Sequence, residues 1–201
     1  MSLYAQGPKI IPLSKPSKTR GTDMMTTLWN RSSTTKFDTA EMKIVDISDL
    51  LWAANGINRP ESYKRTAPSS YNSQDVDIYV FLRSGIYRYE PDKHILFLIQ
   101  TGDHRNLVSY QQEFVLDSKQ ILLFVSDISR FQNGEKQDKL DWANIDTGLA
   151  AQNVLLFCAS NGFLARPRVN MDKNAIREAL GLDESQYPIL NIPVSYNTIS
   201  Q

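Results

Sequence analysis

Three short polar stretches hold the side chains best suited to act on a ligand: "RSSTTKF" at residues 31–37, "RTAPSSYNSQ" at residues 65–74 and "ARPRVN" at residues 165–170. The first offers a guanidinium and two hydroxyls, which suit a phosphate because Arg gives forked, charge-assisted bonds and Ser adds short donors. The second places Pro68, Ser69, Ser70, Asn72 and Gln74 just before a strand. Such a loop is either solvated punctuation or a display of hydroxyl and amide groups. The third flanks Pro167 with Arg166 and Arg168, which suit either phosphate or solvent.

Other chemistries are excluded by what the sequence lacks. The single cysteine, Cys158, cannot form an intrachain disulfide or a thiolate metal cluster, and its apolar surroundings read as a buried, inert thiol. His94 and His104 are not spaced as metal ligands, and no GxGxxG, P-loop or GxSxG motif occurs. Lys plus Arg and Asp plus Glu both number 22 with no basic run, so the footprint of a nucleic-acid binder is missing. No apolar run approaches the roughly 20 residues of a membrane span. The opening "MSLYAQGPK" ends its first six residues like a cleaved export signal but has no charged or fully apolar region before that point, so cytoplasmic and exported locations both stay open.

The elements that must position the three stretches follow from periodicity. Residues 1–21, with three prolines, read as an extended arm, and residues 22–201 as one domain. Helices are predicted over 22–30 and 46–56, the second with Ile47, Leu50, Leu51 and Ala54 on one face. Residues 77–82, 85–90 and 94–100 are β-branched and aromatic with short turns between them, which predicts an antiparallel meander. A helix near 104–113, a central strand at 121–127, a buried central helix over 142–162, a capped helix over 172–182 and a last strand at 187–194 complete the order. The fold class is α+β, with helices packed on a mostly antiparallel sheet.

As a set, "LLWAANGINRP", "RTAPSSYNSQDVDIYV", "GDHR", "DTGLAAQNVLLFCASNGF" and the terminal "YNTIS" resemble, in order and spacing over residues 22–196, the FMN-dependent nitroreductase family, most closely its SagB-type dehydrogenase branch. The resemblance implies a homodimer with FMN at the interface. It places Arg31, Ser32 and Ser33 at the FMN phosphate and ribityl chain. It puts Thr35 at a position where relatives carry a basic residue near flavin N1 and O2, with Lys36 one residue along. It implies that Pro68, Ser69 and Ser70, braced by Asn72, reach the flavin of the other subunit. Gln111 or Gln112 falls at the pyrimidine edge, and Pro167, Val169 and Asn170 at N5. Arg65 is a further candidate for phosphate or substrate, and Arg59 for a structural role.

The activity implied is hydride transfer from NADH or NADPH through FMN to a nitroaromatic, a quinone or a similar flat acceptor. The flavin carries the redox chemistry, and no acid or base side chain is required. Two alternatives stand beside it. One is SagB-type oxidation of an azoline or other peptide-derived ring, for which only Tyr71 and His104 suggest themselves as bases. The other is a non-catalytic flavin-binding protein.

Overall fold

The computed structural model describes residues 7–198. In chain order the elements are β1 (Ile10–Pro12), α1 (Met24–Asn30), α2 (Ile44–Asn55), β2 (Ile57–Arg59), β3 (Lys64–Arg65), β4 (Val76–Leu82), β5 (Gly85–Glu90), β6 (Ile95–Thr101), α3 (Arg105–Ser109), β7 (Gln120–Asp127), α4 (Lys136–Ser160), β8 (Leu164–Ala165), α5 (Lys173–Leu180) and β9 (Gln186–Ser195). Seven strands form one antiparallel sheet in the order β1-β6-β5-β4-β7-β9-β8, and β2 pairs with β3 in a separate ribbon. The expected α+β class and meander are borne out.

Alternation of side chains along the central strands divides the core in two. Ile78 and Val80 of β4, Leu122 and Phe124 of β7 and Ile192 and Val194 of β9 pack against α2 and α4 on one face. Tyr79 and Phe81 of β4 and Ile121, Leu123 and Val125 of β7 pack against α3 and α5 on the other. With helices on both faces, β4 and β7 are buried almost throughout.

Several expected boundaries shift. The long helix starts at Lys136, six residues before the predicted 142, because its first turns, "KQDKLD", are solvated and lack the apolar signal. It is buried on one face only: Ala143, Asp146, Ala150, Val154 and Cys158 point inward, whereas Ile145 and Leu149 are exposed. The helix expected near 104–113 stops at Ser109, since Tyr110 and Gln111 take positive φ angles of 37° and 62° that end an α-helix. Within the described part of the arm, β1 adds an edge strand beside β6. Farther along, Ser17 donates its N–H to Asp49, and Arg20 bonds Asp46, Asp49 and Asn161 while stacking on Phe157 and Phe163.

Candidate flavin site

The first polar stretch is a turn leaving α1, whose N-cap Asp23 accepts from the Thr26 N–H. It docks on β8: Thr34 donates its N–H to the Ala165 carbonyl at 3.4 Å, and Arg166 donates to the Thr34 carbonyl at 3.4 Å. Ser32, Ser33, Thr35 and Lys36 are exposed and Arg31 is half-buried. Among the described residues, no ion pair or side-chain hydrogen bond engages Arg31, Ser32 or Ser33. A free guanidinium beside two free hydroxyls fits the phosphate of an FMN.

The third stretch continues from β8 along β9. Arg168 and Asn191 exchange backbone hydrogen bonds of 2.8 and 2.7 Å. Asn191 donates its amide to the Asn170 carbonyl, and Asn170 donates to the Tyr110 carbonyl. This chain of bonds brings residues 31–36, 110–112 and 165–170 together around β8 and the C-terminal end of β9. Val169 and Asn170 lie on the outside, Val169 68% exposed, and the Val169 N–H has no partner among the described residues.

Of the two candidate amides, Gln111 is exposed, while Gln112 accepts from Arg168 Nε through its Oε1 at 3.0 Å. Arg168 itself corrects the reading of a phosphate-binding or solvated residue. It is buried, and it donates also to the carbonyls of Val108 and Ser109 and to Asn191 Oδ1, at 2.8, 2.9 and 2.7 Å. Burial, with Arg166 nearby, lowers its pKa from the usual guanidinium value.

The second stretch lies elsewhere. Ser70 donates its N–H and its hydroxyl to the two carboxylate oxygens of Asp146, at 2.7 and 3.0 Å, and Ser69 Oγ accepts from the Gln74 N–H at 2.9 Å. Tyr71 sits edge-on to Trp142, and Tyr71, Asn72 and Gln74 all take positive φ. Pro68 and Asn72 are exposed. This loop stands where β4 begins and β7 ends, at the level of the Val76 to Ser126 pair, whereas β8 meets Val194, whose β7 partner is Gln120. Six residues of strand separate the two levels, roughly 20 Å. Within one chain, the 68–72 loop is therefore remote from the other two stretches. Arg65 is held inside the chain, donating to Gln74 Oε1 at 3.0 Å, and Arg59 donates to the Asn58 side chain and the Arg65 carbonyl.

Beneath the loop, Asp75 and Asp146 are buried side by side, 0% and 2% exposed. Asp75 accepts from Ser73 and Ser126. Burial first, and the neighbouring carboxylate of Asp146, push the Asp75 pKa up to about 7. Burial likewise raises the Cys158 thiol far above its ordinary value, as its apolar setting implied. Sequence reasoning missed the partners of Arg168 and the Asp75 to Asp146 pair; the one available signal was that a carboxylate inside an apolar helix face needs a donor.

The Nitroreductase family model matches residues 28–196, and the chain belongs to that family of oxidoreductases. It is 36% identical to a nitroreductase of Ralstonia eutropha JMP134, covering 94% of this chain and 90% of that one, with a TM-score of 0.88. The fold also matches an NAD(P)H:FMN oxidoreductase of Staphylococcus epidermidis ATCC 12228, at 19% identity over 92% of each chain and a TM-score of 0.68. A third match is to the E. coli microcin synthetase McbBCD complex with truncated pro-MccB17 bound, at 16% identity, 91% of this chain, 76% of that one and a TM-score of 0.66. No curated protein matches. No described helix is long and apolar enough to cross a membrane.

Proposed function

We propose that the chain is an FMN-dependent oxidoreductase that acts as a homodimer, taking hydride from NADH or NADPH and passing it to a nitroaromatic, a quinone or a similar flat acceptor. The observation that carries this reading is the separation of the loops. Arg31, Ser32, Ser33, Gln112, Val169 and Asn170 gather at one end of the sheet, and Ser69 and Ser70 stand at the other, so a site that uses all of them draws on two chains. Apolar surface supports the pairing. Met24, Met25, Leu28 and Trp29 of α1 are 61, 74, 49 and 90% exposed, and Ile145 and Leu149 add to the outer face of α4. Exposed apolar groups in such number mark an association surface.

When bound, FMN would supply the two-electron chemistry. Arg31, Ser32 and Ser33 would hold its phosphate, and the free Val169 N–H would meet the ring edge at N5. The uncharged Thr35 hydroxyl would stand at N1 and O2, where relatives carry a basic residue, with the exposed Lys36 one position farther along. Oxidation of a peptide-derived ring asks for a base at the flavin, and the two candidates are poorly set for it. His104 Nε2 is bonded to the Thr101 carbonyl at 2.9 Å, and Tyr71 leans on Trp142. Transfer to an acceptor is therefore preferred.

The test is anaerobic titration of the purified protein with NADH and NADPH, alongside its mass in solution. A yellow dimer that bleaches supports the proposal. Colour without bleaching leaves a flavin binder, a colourless protein that cannot be reconstituted refutes the FMN assignment, and a monomer holding FMN stoichiometrically refutes the two-chain site.

A further inference from the structure

Arg168 is a buried cation without an anion. Four of its N–H donors are spent on neutral oxygens: Gln112 Oε1, Asn191 Oδ1 and the carbonyls of Val108 and Ser109. Among the described residues it has no carboxylate partner, and the charge that acts on it is another cation, Arg166. Removing a guanidinium from water without a counter-charge is costly, and buried charges are ordinarily paired. An arrangement of this kind makes sense where the missing negative charge arrives with a ligand.

Its position indicates which charge. The backbone of residue 168 lies between Pro167 and Val169, and its side chain runs under residues 108–112, so the guanidinium sits behind both loops assigned to the flavin ring. It also fixes Gln112. An Arg N–H can meet only an acceptor, so the Gln112 oxygen faces Arg168 and the amide presents its two N–H donors to whatever lies beyond. A guanidinium behind an amide polarises it and strengthens it as a donor.

We propose that Arg168 is a positioning residue that favours the reduced flavin, through its charge and through the N–H donors of Gln112 aimed at the C2 carbonyl, in the place of the cation that Thr35 does not supply. The inference rests on the FMN reading above. Transfer of hydride from C4 of a reduced nicotinamide carries two electrons and one proton to N5. The donor leaves as NAD(P)+, and one negative charge remains along N1 and the C2 oxygen of the flavin. That charge is the counter-ion that Arg168 lacks.

The test compares the dissociation constants of oxidised and chemically reduced FMN, and the midpoint potential by spectroelectrochemistry, in the wild type, Arg168→Lys, Arg168→Met and Gln112→Glu. Arg168→Met should lower the potential and weaken reduced FMN relative to oxidised FMN by about tenfold or more, the size expected for one unit charge at roughly 10 Å in an effective dielectric near 20. Arg168→Lys should recover most of that ratio. Gln112→Glu, which sets a carboxylate against the guanidinium while keeping it, should shift the ratio in the same direction as Arg168→Met and decides the matter if that variant does not fold. FMN bound with an unchanged ratio in folded Arg168→Met or in Gln112→Glu, or Lys and Met variants shifted alike, overturns the inference and leaves the function standing. A wild type that binds neither form of FMN overturns both.

Discussion

Replacing Asp75 by Asn should make the protein more stable at neutral pH, although it removes a fully buried group that accepts two hydrogen bonds. Burial, with the neighbouring Asp146, holds the proton on Asp75, whose pKa is pushed up to about 7. In the unfolded chain an Asp titrates near 3.9. A carboxyl whose folded pKa is raised contributes its full stability below the unfolded value and loses it as pH climbs to the folded value. Between about pH 4 and pH 7 the unfolded chain gives up this proton and the folded one keeps it, so stability falls by about 1.4 kcal/mol per pH unit, a total on the order of 4 kcal/mol. Asn cannot ionise, and its amide offers Asp146 the donor that the protonated carboxyl supplied. Urea unfolding at fixed protein concentration at pH 5, 6, 7 and 8 should show the variant near the wild type at pH 5 and ahead by about 2 to 4 kcal/mol at pH 8. Parallel pH profiles for the two proteins would refute the raised pKa of Asp75.

Two further outcomes are expected. If Arg31 holds the FMN phosphate as proposed, Arg31→Ala should remove a charge-assisted contact worth about 1.5 to 3 kcal/mol and raise the FMN dissociation constant roughly tenfold or more; an unchanged constant in flavin titrations would make Arg31 a solvated turn residue. Val169→Ala should keep FMN and most of the NADH reduction rate, since the side chain is 68% exposed, whereas Val169→Pro, which lacks the backbone donor, should abolish hydride transfer or shift the potential. Equal, near-normal rates in both variants, each shown folded by circular dichroism, would remove residues 165–170 from the reactive edge.

The elements with strong period-two or period-3.6 patterns were legible in the sequence: α2, the β4-β5-β6 meander, β7, α5 and β9 all lie within a few residues of their expected bounds. The pairing of β1 was hidden because Pro12 and its short length look like linker, yet an edge strand tolerates both. Polar groups were misread wherever their partners are distant in the chain. Arg168 looks solvated between Pro167 and Val169, but its acceptors lie 60, 59, 56 and 23 residues away. Ser70 and Asp146 are 76 residues apart, and neither announces the other. Local pattern reports which face is apolar, and it is silent about which buried charge meets which carbonyl.

The position of β9 bears on how the chain is made. The strand starts at Gln186, 59 residues after its neighbour β7 ends at Asp127, so β7 is made well before the strand that pairs with it. Until then the edge of β7 that pairs with residues 186–194 lacks its neighbour, beside Ile121, Leu123 and Val125. Such an edge is a template for any other strand nearby. Release that ends short of β9 should therefore yield aggregating chains rather than a smaller soluble domain, and at high expression the nascent protein would depend on chaperones until residues 186–195 emerge.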